Sequence, residues 1–128
     1  MQTSDRKTIL LTGINGQVGF ELQRTLQGLG NVVALDRSRL DLSRLDQVRD
    51  VVRDLKPDLI VNPAAYTAVD QAETDVAMAT RLNAEAPAVL AEEAKRIGAA
   101  LIHYSTDYVF SGTKASPYVE DDAVDPQN

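Results

Sequence analysis

Three glycines separated by two residues each form the most informative chemical pattern in this sequence. Gly13, Gly16 and Gly19 follow directly after a short apolar run. Glycine permits a tight turn and lets backbone N–H groups approach a pyrophosphate at the N-terminus of a following helix. The pattern therefore predicts a dinucleotide site. Its spacing differs from the usual Gly-x-Gly-x-x-Gly, and three glycines could also serve the turn alone.

An acidic residue ends the next apolar run, where the ribose of the adenosine would lie. Asp36 is suited to accept hydrogen bonds from the two ribose hydroxyls, which favours NAD. Arg37 and Arg39 follow at once, and a guanidinium there could hold the 2′-phosphate of NADP. Both forms of the cofactor stay open, and these charges could also be ordinary loop residues.

Small side chains follow the third apolar run. Ala64 and Ala65 would let a flat ring or a ribose lie against the backbone, although small residues there serve helix packing as often. Asp41 and Leu42 could touch an adenine, but Asp41 is more readily a helix cap. These positions alone do not decide between binding and packing.

Hydroxyl and acidic side chains follow the fourth apolar run. Thr106 could donate a hydrogen bond to a substrate carbonyl, and Asp107 could accept one from a sugar hydroxyl. Ser, Thr and Asp are also common turn residues, so a turn explains them equally well. His103 is the only histidine and lies within an apolar run, which predicts a packed core residue rather than a catalytic base.

Short apolar runs alternate with segments of helical periodicity, and these elements must position the groups above. Strands are predicted at residues 8–11, 31–35, 59–61 and 100–105. Helices are predicted from Gln17 to a stop at Gly28 and Gly30, from about Ser43 to Pro57, and as two abutting helices within residues 75–97, with Pro87 in the first turn of the second and Gly98 as its stop. Residues 111–128 are predicted to be a loop. The alternation predicts an α/β fold, a Rossmann-like doubly wound parallel sheet covered by helices on both faces, in one domain over residues 1–128.

Composition narrows the function classes. The chain has 128 residues, no cysteine and a formal net charge of -6 at pH 7, which argues against a nucleic-acid partner and against thiol chemistry. No apolar run reaches membrane-spanning length, and the residues after Met1 do not resemble a signal peptide. We therefore expect a cytoplasmic protein without membrane contact. No residue spacing is typical of metal ligands, so no metal site is predicted.

The motifs resemble those of the extended short-chain dehydrogenases/reductases, and within them the dTDP-4-dehydrorhamnose reductase family. The matching segments are residues 12–19, 62–73 and 104–110, together with Asn83 and Gly112. They occur in the order of the family and across nearly the whole chain. The second and third segments are much more specific than the glycine pattern.

The resemblance implies a whole enzyme that uses NADPH or NADH to transfer hydride to the 4-keto group of a dTDP-sugar, dTDP-4-dehydro-L-rhamnose, giving dTDP-L-rhamnose. Thr106 matches the Ser/Thr of the family's catalytic trio, Asp107 would contact the sugar, and Glu21 matches a position implicated in Mg²⁺ binding at a subunit contact. The resemblance assigns the cofactor to Gly13, Asn15, Gly16, Gln17, Val18, Gly19, Asp36, Arg37, Asp41, Leu42, Ala64, Ala65, Tyr66, Thr67 and Tyr104.

The family's catalytic Tyr-x-x-x-Lys does not occur in these 128 residues. We expect it directly after Asn128, followed by the C-terminal substrate lobe, so that this chain is the N-terminal portion of a longer reductase. The tyrosine protonates the new alkoxide and the lysine lowers its pKa, so this chain is expected to be inactive alone. Exposed apolar surface left by the missing elements would favour a homodimer.

Two other functions remain open at this point. One is a non-catalytic, dinucleotide-binding regulatory subunit, similar to relatives that partner methionine adenosyltransferase. The other is a different nucleotide-sugar epimerase or dehydratase. The intact Thr106 and Asp107 favour the reductase.

Overall fold

A computed structural model describes residues 5–128; the first four residues of the predicted domain lie outside this part. The described residues form four β-strands and five α-helices. They are β1 (Thr8–Leu11), α1 (Gln17–Thr25), β2 (Asn31–Ala34), α2 (Leu45–Leu55), β3 (Leu59–Asn62), α3 (Val69–Ala72), α4 (Val76–Thr80), α5 (Ala86–Ile97) and β4 (Ala100–His103). Short 3₁₀ turns occupy Leu26–Gly28 and Asp107–Val109. In the described residues, no helix is both long enough and apolar enough to cross a bilayer.

The strands form one parallel sheet in the order β2-β1-β3-β4. The chain places β2 on one side of β1 and then crosses to the other side for β3. Strand order therefore reverses between β1 and β3. In open α/β sheets, the crevice at such a reversal is where ligands bind, beyond the carboxyl ends of the strands. The predicted Rossmann-like parallel sheet is confirmed.

Helices cover both faces of the sheet. Leu10 and Ile60 point to one face, where they pack with Val48 and Val52 of α2 and Leu90 of α5. Alternate strand residues point to the other face and pack against the chain that follows α1. The strand residues are Ile9, Leu11 and Val61, and they pack with Leu26 in the 3₁₀ turn after α1. Burial on both faces explains why the strands are continuous apolar runs rather than alternating ones.

Helix α2 begins later than the sequence predicts. At the predicted start, Ser43 donates to Asp41 Oδ1, from its backbone N at 3.0 Å and from its hydroxyl at 2.7 Å. The helix starts at Leu45, with Arg44 as the flanking residue. It ends at Leu55, where Lys56 adopts a left-handed φ of 49° before Pro57.

Residues 76–97 form the two abutting helices that the sequence predicts, joined by an unpredicted element. A π-helical turn, Arg81–Glu85, lies between α4 and α5. Pro87 lies in the first turn of α5, and Gly98 ends that helix with a left-handed φ of 72°, both as predicted. Single π turns inside helices often occur at functional sites, because they redirect the side chains of one turn.

Strand β4 differs from the prediction at its end. It stops at His103 instead of continuing to residue 105, and His103 is exposed, so the expectation of a packed core histidine is wrong. The reason is position: β4 pairs only with β3 in the part of the chain described, and even Ile102 is 47% exposed. Burial of a short apolar run depends on its place in the sheet.

The predicted loop after residue 110 is irregular but internally held. Phe110 and Tyr118 stack with ring centroids 4.4 Å apart. Lys114 pairs with Asp122 at 2.5 Å, and its backbone N donates to the Tyr118 hydroxyl at 3.1 Å. This hydroxyl also hydrogen-bonds to Ser111, and these bonds lower the pKa of Tyr118.

Candidate functional site

The glycine turn closes against the end of the neighbouring strand. Gly13 has a left-handed φ of 60°, and a Cβ placed there would lie 2.7 Å from the backbone N of Ala64. A Cβ on Gly19 would overlap the carbonyl oxygen of Gly13. Both positions therefore require glycine. Gly13 needs it for its left-handed conformation and its contact with the loop after β3, and Gly19 needs it so that α1 can pack on the turn.

The N-terminus of α1 is open to an anion. Gly16 is the flanking residue, its backbone N donates to Gly13 O at 3.1 Å, and no side chain in residues 5–128 caps the helix. The first turn carries no acidic residue. Asn15, Gln17 and Val18 are exposed around this end, while Gly19 is buried. Helix dipole and free amides together suit a pyrophosphate, as the sequence predicts.

A cleft of about 230 Å³ lies beside the glycine turn. We call it the smaller cleft. It gathers predicted residues from the ends of three strands, which are Gly13, Asp36, Arg37, Asp41, Leu42, Ala64 and Ala65. Leu42 also belongs to the core and is only 7% exposed, so its side chain forms the floor rather than the rim. The cleft has the apolar floor and the polar edge that an adenosine requires.

Two carboxylates are fixed in the smaller cleft by the same local structure. Asp36 Oδ1 accepts from the backbone N of Ser38 at 2.9 Å and from its hydroxyl at 2.6 Å. Asp41 makes the equivalent pair with Ser43, and therefore does not cap α2. The serine bonds, above all, lower the pKa of both Asp36 and Asp41. Both groups are thus charged at neutral pH, with Arg37 on the same cleft.

A cleft of about 770 Å³, the larger cleft, adjoins the smaller one, and Ala65 lines both. Tyr66 and Thr67 line it from the β3 loop, and Tyr104 and Thr106 line it from the segment after β4. The structure thus brings together the residues that the resemblance assigns to the cofactor and to the substrate carbonyl. Asp107 is exposed next to Thr106.

Thr106 also serves the turn that follows it. Its Oγ1 accepts from the backbone N of Tyr108 at 3.2 Å and so caps the 3₁₀ turn Asp107–Val109. Its second contact, with Asp107 Oδ1, is long at 3.5 Å. The turn interpretation is therefore correct. This turn is compatible with the predicted contact to a substrate carbonyl, because the Thr106 O–H donates only to Asp107 Oδ1, at 3.5 Å, and can rotate toward another acceptor.

Asn83 fixes the backbone that forms the wall of the larger cleft. Its Oδ1 accepts from Tyr66 N at 2.8 Å and its Nδ2 donates to Tyr66 O at 3.1 Å. The π turn places Asn83 at this point. The Tyr66 hydroxyl donates to Asp75 Oδ2 at 3.3 Å, and partial burial together with the Asp75 charge raises the pKa of Tyr66. The family resemblance includes Asn83 but implies no role for it.

A buried polar chain at the strand ends was missed by the sequence analysis. Thr12 Oγ1 donates to Asn62 Oδ1 at 2.5 Å, and Asn62 Nδ2 lies 3.1 Å from His103 Nδ1. Thr12 and Asn62 are at most 1% exposed. The sequence did indicate the burial of these two residues. Thr12 follows the core residue Leu10 by two positions and Asn62 follows Ile60 by two, and strand periodicity places such residues on the same buried face.

The described residues contain no group of three or more His, Asp or Glu side chains arranged to hold a metal ion. Glu21, the position linked to Mg²⁺ by resemblance, pairs with Arg24 at 3.0 Å on the exposed side of α1.

The sheet, the glycine turn and the two clefts define a Rossmann-like α/β domain. The family model described as RmlD substrate binding domain matches residues 7–128, and the chain belongs to this family. It is 57% identical over 120 residues to dTDP-4-dehydrorhamnose reductase of Burkholderia thailandensis. The matched region covers 94% of this chain and 40% of that protein. The chain thus spans about two fifths of the length of the curated relatives it matches.

Solved structures agree with this assignment. A dTDP-4-dehydrorhamnose reductase from Bacillus anthracis in complex with NADP superposes with a TM-score of 0.91 at 35% identity, over 99% of this chain and 46% of that one. An orthologue from Clostridium acetobutylicum gives a TM-score of 0.89 at 40% identity, over 94% and 43%. The family resemblance and the Rossmann-like fold predicted from the sequence are both confirmed.

Proposed function

We propose that this chain is the dinucleotide-binding part of an NAD(P)H-dependent reductase that converts dTDP-4-dehydro-L-rhamnose to dTDP-L-rhamnose. The observation that carries the proposal is the pair of adjoining clefts that meet at Ala65, beside a glycine turn, at the point where strand order reverses. The names of the relatives support the substrate, and the NADP complex of one relative supports the cofactor.

Each cleft suits one part of the cofactor. Asp36 and Arg37 in the smaller cleft are placed for the adenosine ribose, with or without its 2′-phosphate. The open N-terminus of α1 suits the pyrophosphate. Tyr66 and Tyr104 in the larger cleft suit the nicotinamide side. The lining therefore fits a dinucleotide, which supplies a hydride when bound.

Thr106 and Asp107 would act on the substrate rather than on the cofactor. The Thr106 hydroxyl lines the larger cleft, where it would donate to the keto oxygen and stabilise the negative charge that develops there. Asp107, exposed beside it, would accept from a sugar hydroxyl. The proton for the new alkoxide would come from the Tyr-x-x-x-Lys pair, which these 128 residues do not contain.

Calorimetric titration of this chain with NADH and with NADPH at fixed salt tests the proposal. We expect binding in the micromolar range for at least one of them and, with the keto-sugar added, no loss of absorbance at the wavelength of the reduced nicotinamide. A sample that melts cooperatively but binds neither dinucleotide would contradict the binding role. Appreciable hydride transfer would contradict the expectation that the chain is inactive alone.

A further inference from the structure

Thr12, Asn62 and His103 form one hydrogen-bonded chain across the carboxyl ends of three adjacent strands. Asn62 pairs with His103 in the register of β3 and β4. Leu10, Ile60 and Leu101 pack in the core below α2 and α5, and strand alternation places the three polar residues on that same face. This series of hydrogen bonds thus runs from the buried Thr12 hydroxyl to the exposed His103 imidazole at the larger cleft.

The distances determine which way the Asn62 amide faces. The 2.5 Å separation between Thr12 Oγ1 and the amide fits an O–H···O bond and is too short for an N–H···O bond. Asn62 Oδ1 therefore faces Thr12, and Nδ2 faces His103 Nδ1 at 3.1 Å. An amide nitrogen only donates, so Nδ1 of the ring is the acceptor. The neutral imidazole then carries its proton on Nε2.

Nδ1 faces the buried Asn62, and His103 is itself exposed and lines the larger cleft, which leaves the Nε2–H as the ring's donor for a ligand in that cleft. We propose that His103 is a ligand-binding residue whose Nε2–H donates a hydrogen bond to an oxygen of the nicotinamide-bearing half of the dinucleotide. Thr12 and Asn62 are positioning residues that fix its tautomer and its ring orientation. This inference rests on the proposed function.

The layout of the clefts selects that half of the ligand. Asp36 and Arg37 assign the adenosine to the smaller cleft, and the two clefts meet at Ala65. A dinucleotide with its adenosine in the smaller cleft therefore extends its other half into the larger one, which His103 lines. A ligand that ends at the pyrophosphate, such as ADP, would not reach the imidazole.

Two substitutions of His103 test the roles of its two ring nitrogens separately. The amide of asparagine lies where a histidine carries Nδ1, so His103→Asn keeps an acceptor for Asn62 and loses the donor in the cleft. The amide of glutamine reaches the position of Nε2, so His103→Gln keeps a donor in the cleft. We expect His103→Asn to weaken NADH binding about three- to tenfold, the loss of one hydrogen bond, and His103→Gln to restore most of it.

Calorimetry with NADH and with ADP, on the unsubstituted chain and both variants, gives the test. The inference requires that ADP affinity stays the same in all three, which also shows that each variant is folded. Unchanged NADH affinity in His103→Asn would overturn the inference while leaving the proposed function standing. Equal losses for NADH and ADP would show a structural role and overturn it too. Failure of the unsubstituted chain to bind NADH and NADPH would overturn the proposed function and this inference with it.

Discussion

Gly13 lies against Ala64, so closely that a Cβ on Gly13 would stand 2.7 Å from the Ala64 nitrogen and 2.8 Å from its Cα. Both atoms are backbone and belong to the loop after β3, whose residues line both clefts. The contact joins the ends of β1 and β3 where strand order reverses. The shape of the candidate site therefore requires a residue without a side chain at position 13, which is glycine.

Gly13→Ala is expected to destabilise the fold and abolish dinucleotide binding. A left-handed φ costs an L-residue about 1–2 kcal/mol, and the overlap with Ala64 adds to this. Gly98→Ala isolates the first cost, since Gly98 also has a positive φ but no described atom lies within 4 Å of its Cβ position. Gly28→Ala is a neutral control with similar free space and no positive φ. Urea unfolding that ranks Gly13→Ala no worse than Gly98→Ala would contradict this account.

Asn83→Ala is expected to weaken dinucleotide binding more than it weakens the fold. The substitution removes both hydrogen bonds that hold the Tyr66 backbone against the larger cleft, so a ligand would have to order this backbone when it binds. Water can replace bonds at this exposed residue in the free protein, so the unfolding free energy changes little. Titration with NADH should show a fall in affinity of about fivefold or more. Unchanged affinity would mean that the clamp does not shape the bound state.

Glu93 should make the stability of the chain depend on acid pH. Glu93 is 4% exposed, and its carboxylate accepts from Arg53 Nη2 at 2.7 Å and from Nε at 2.9 Å. The Arg53 guanidinium holds the pKa of Glu93 below its ordinary value of 4.5. The unfolded chain therefore takes up this proton first as the pH falls. The contribution is fully present above about pH 4.5 and is lost as the pH drops through the lower, folded value.

Unfolding free energies at pH 7 and at pH 3 for Glu93→Gln check this dependence. The variant should be less stable than the unsubstituted chain at pH 7, and the difference should narrow at pH 3. Glu92→Gln, at the exposed neighbouring position, is the matched control and should track the unsubstituted chain at both pH values. A gap that does not change with pH would assign the loss to packing rather than to charge.

Asp36→Asn and Arg37→Ala should change cofactor preference in opposite directions. Asp36 carries a fixed negative charge that would accept from the ribose hydroxyls and repel a 2′-phosphate, so its neutralisation should weaken NADH binding relative to NADPH. Arg37 offers the only guanidinium among the residues lining the smaller cleft in the described chain, so its loss should weaken NADPH relative to NADH. Paired titrations give the ratios. Two variants that shift the ratio in the same direction would place the 2′-position elsewhere.

Several bounds of the helices and strands could be predicted from the sequence, because they depend on the conformational preferences of nearby residues. Strand β1 has the predicted bounds, and α5 begins around Pro87 and ends at Gly98 as expected. Proline fixes φ for a first helical turn and glycine accepts a left-handed end, so both signals act within a few residues. The glycine turn and Asp36 are located in the same way, since strand, turn and helix follow each other directly along the chain.

The sequence by itself located the four strands and, to within a residue or two, their ends, because apolar runs and turn residues are local properties. Only the tertiary structure decided which of those ends meet. Sheet order places Gly13 against Ala64, a π turn brings Asn83 to Tyr66, and the outer position of β4 leaves His103 exposed yet bonded to Asn62. These contacts join residues 17 to 51 positions apart, and their geometry follows from the packing of whole elements rather than from the preference of any one residue.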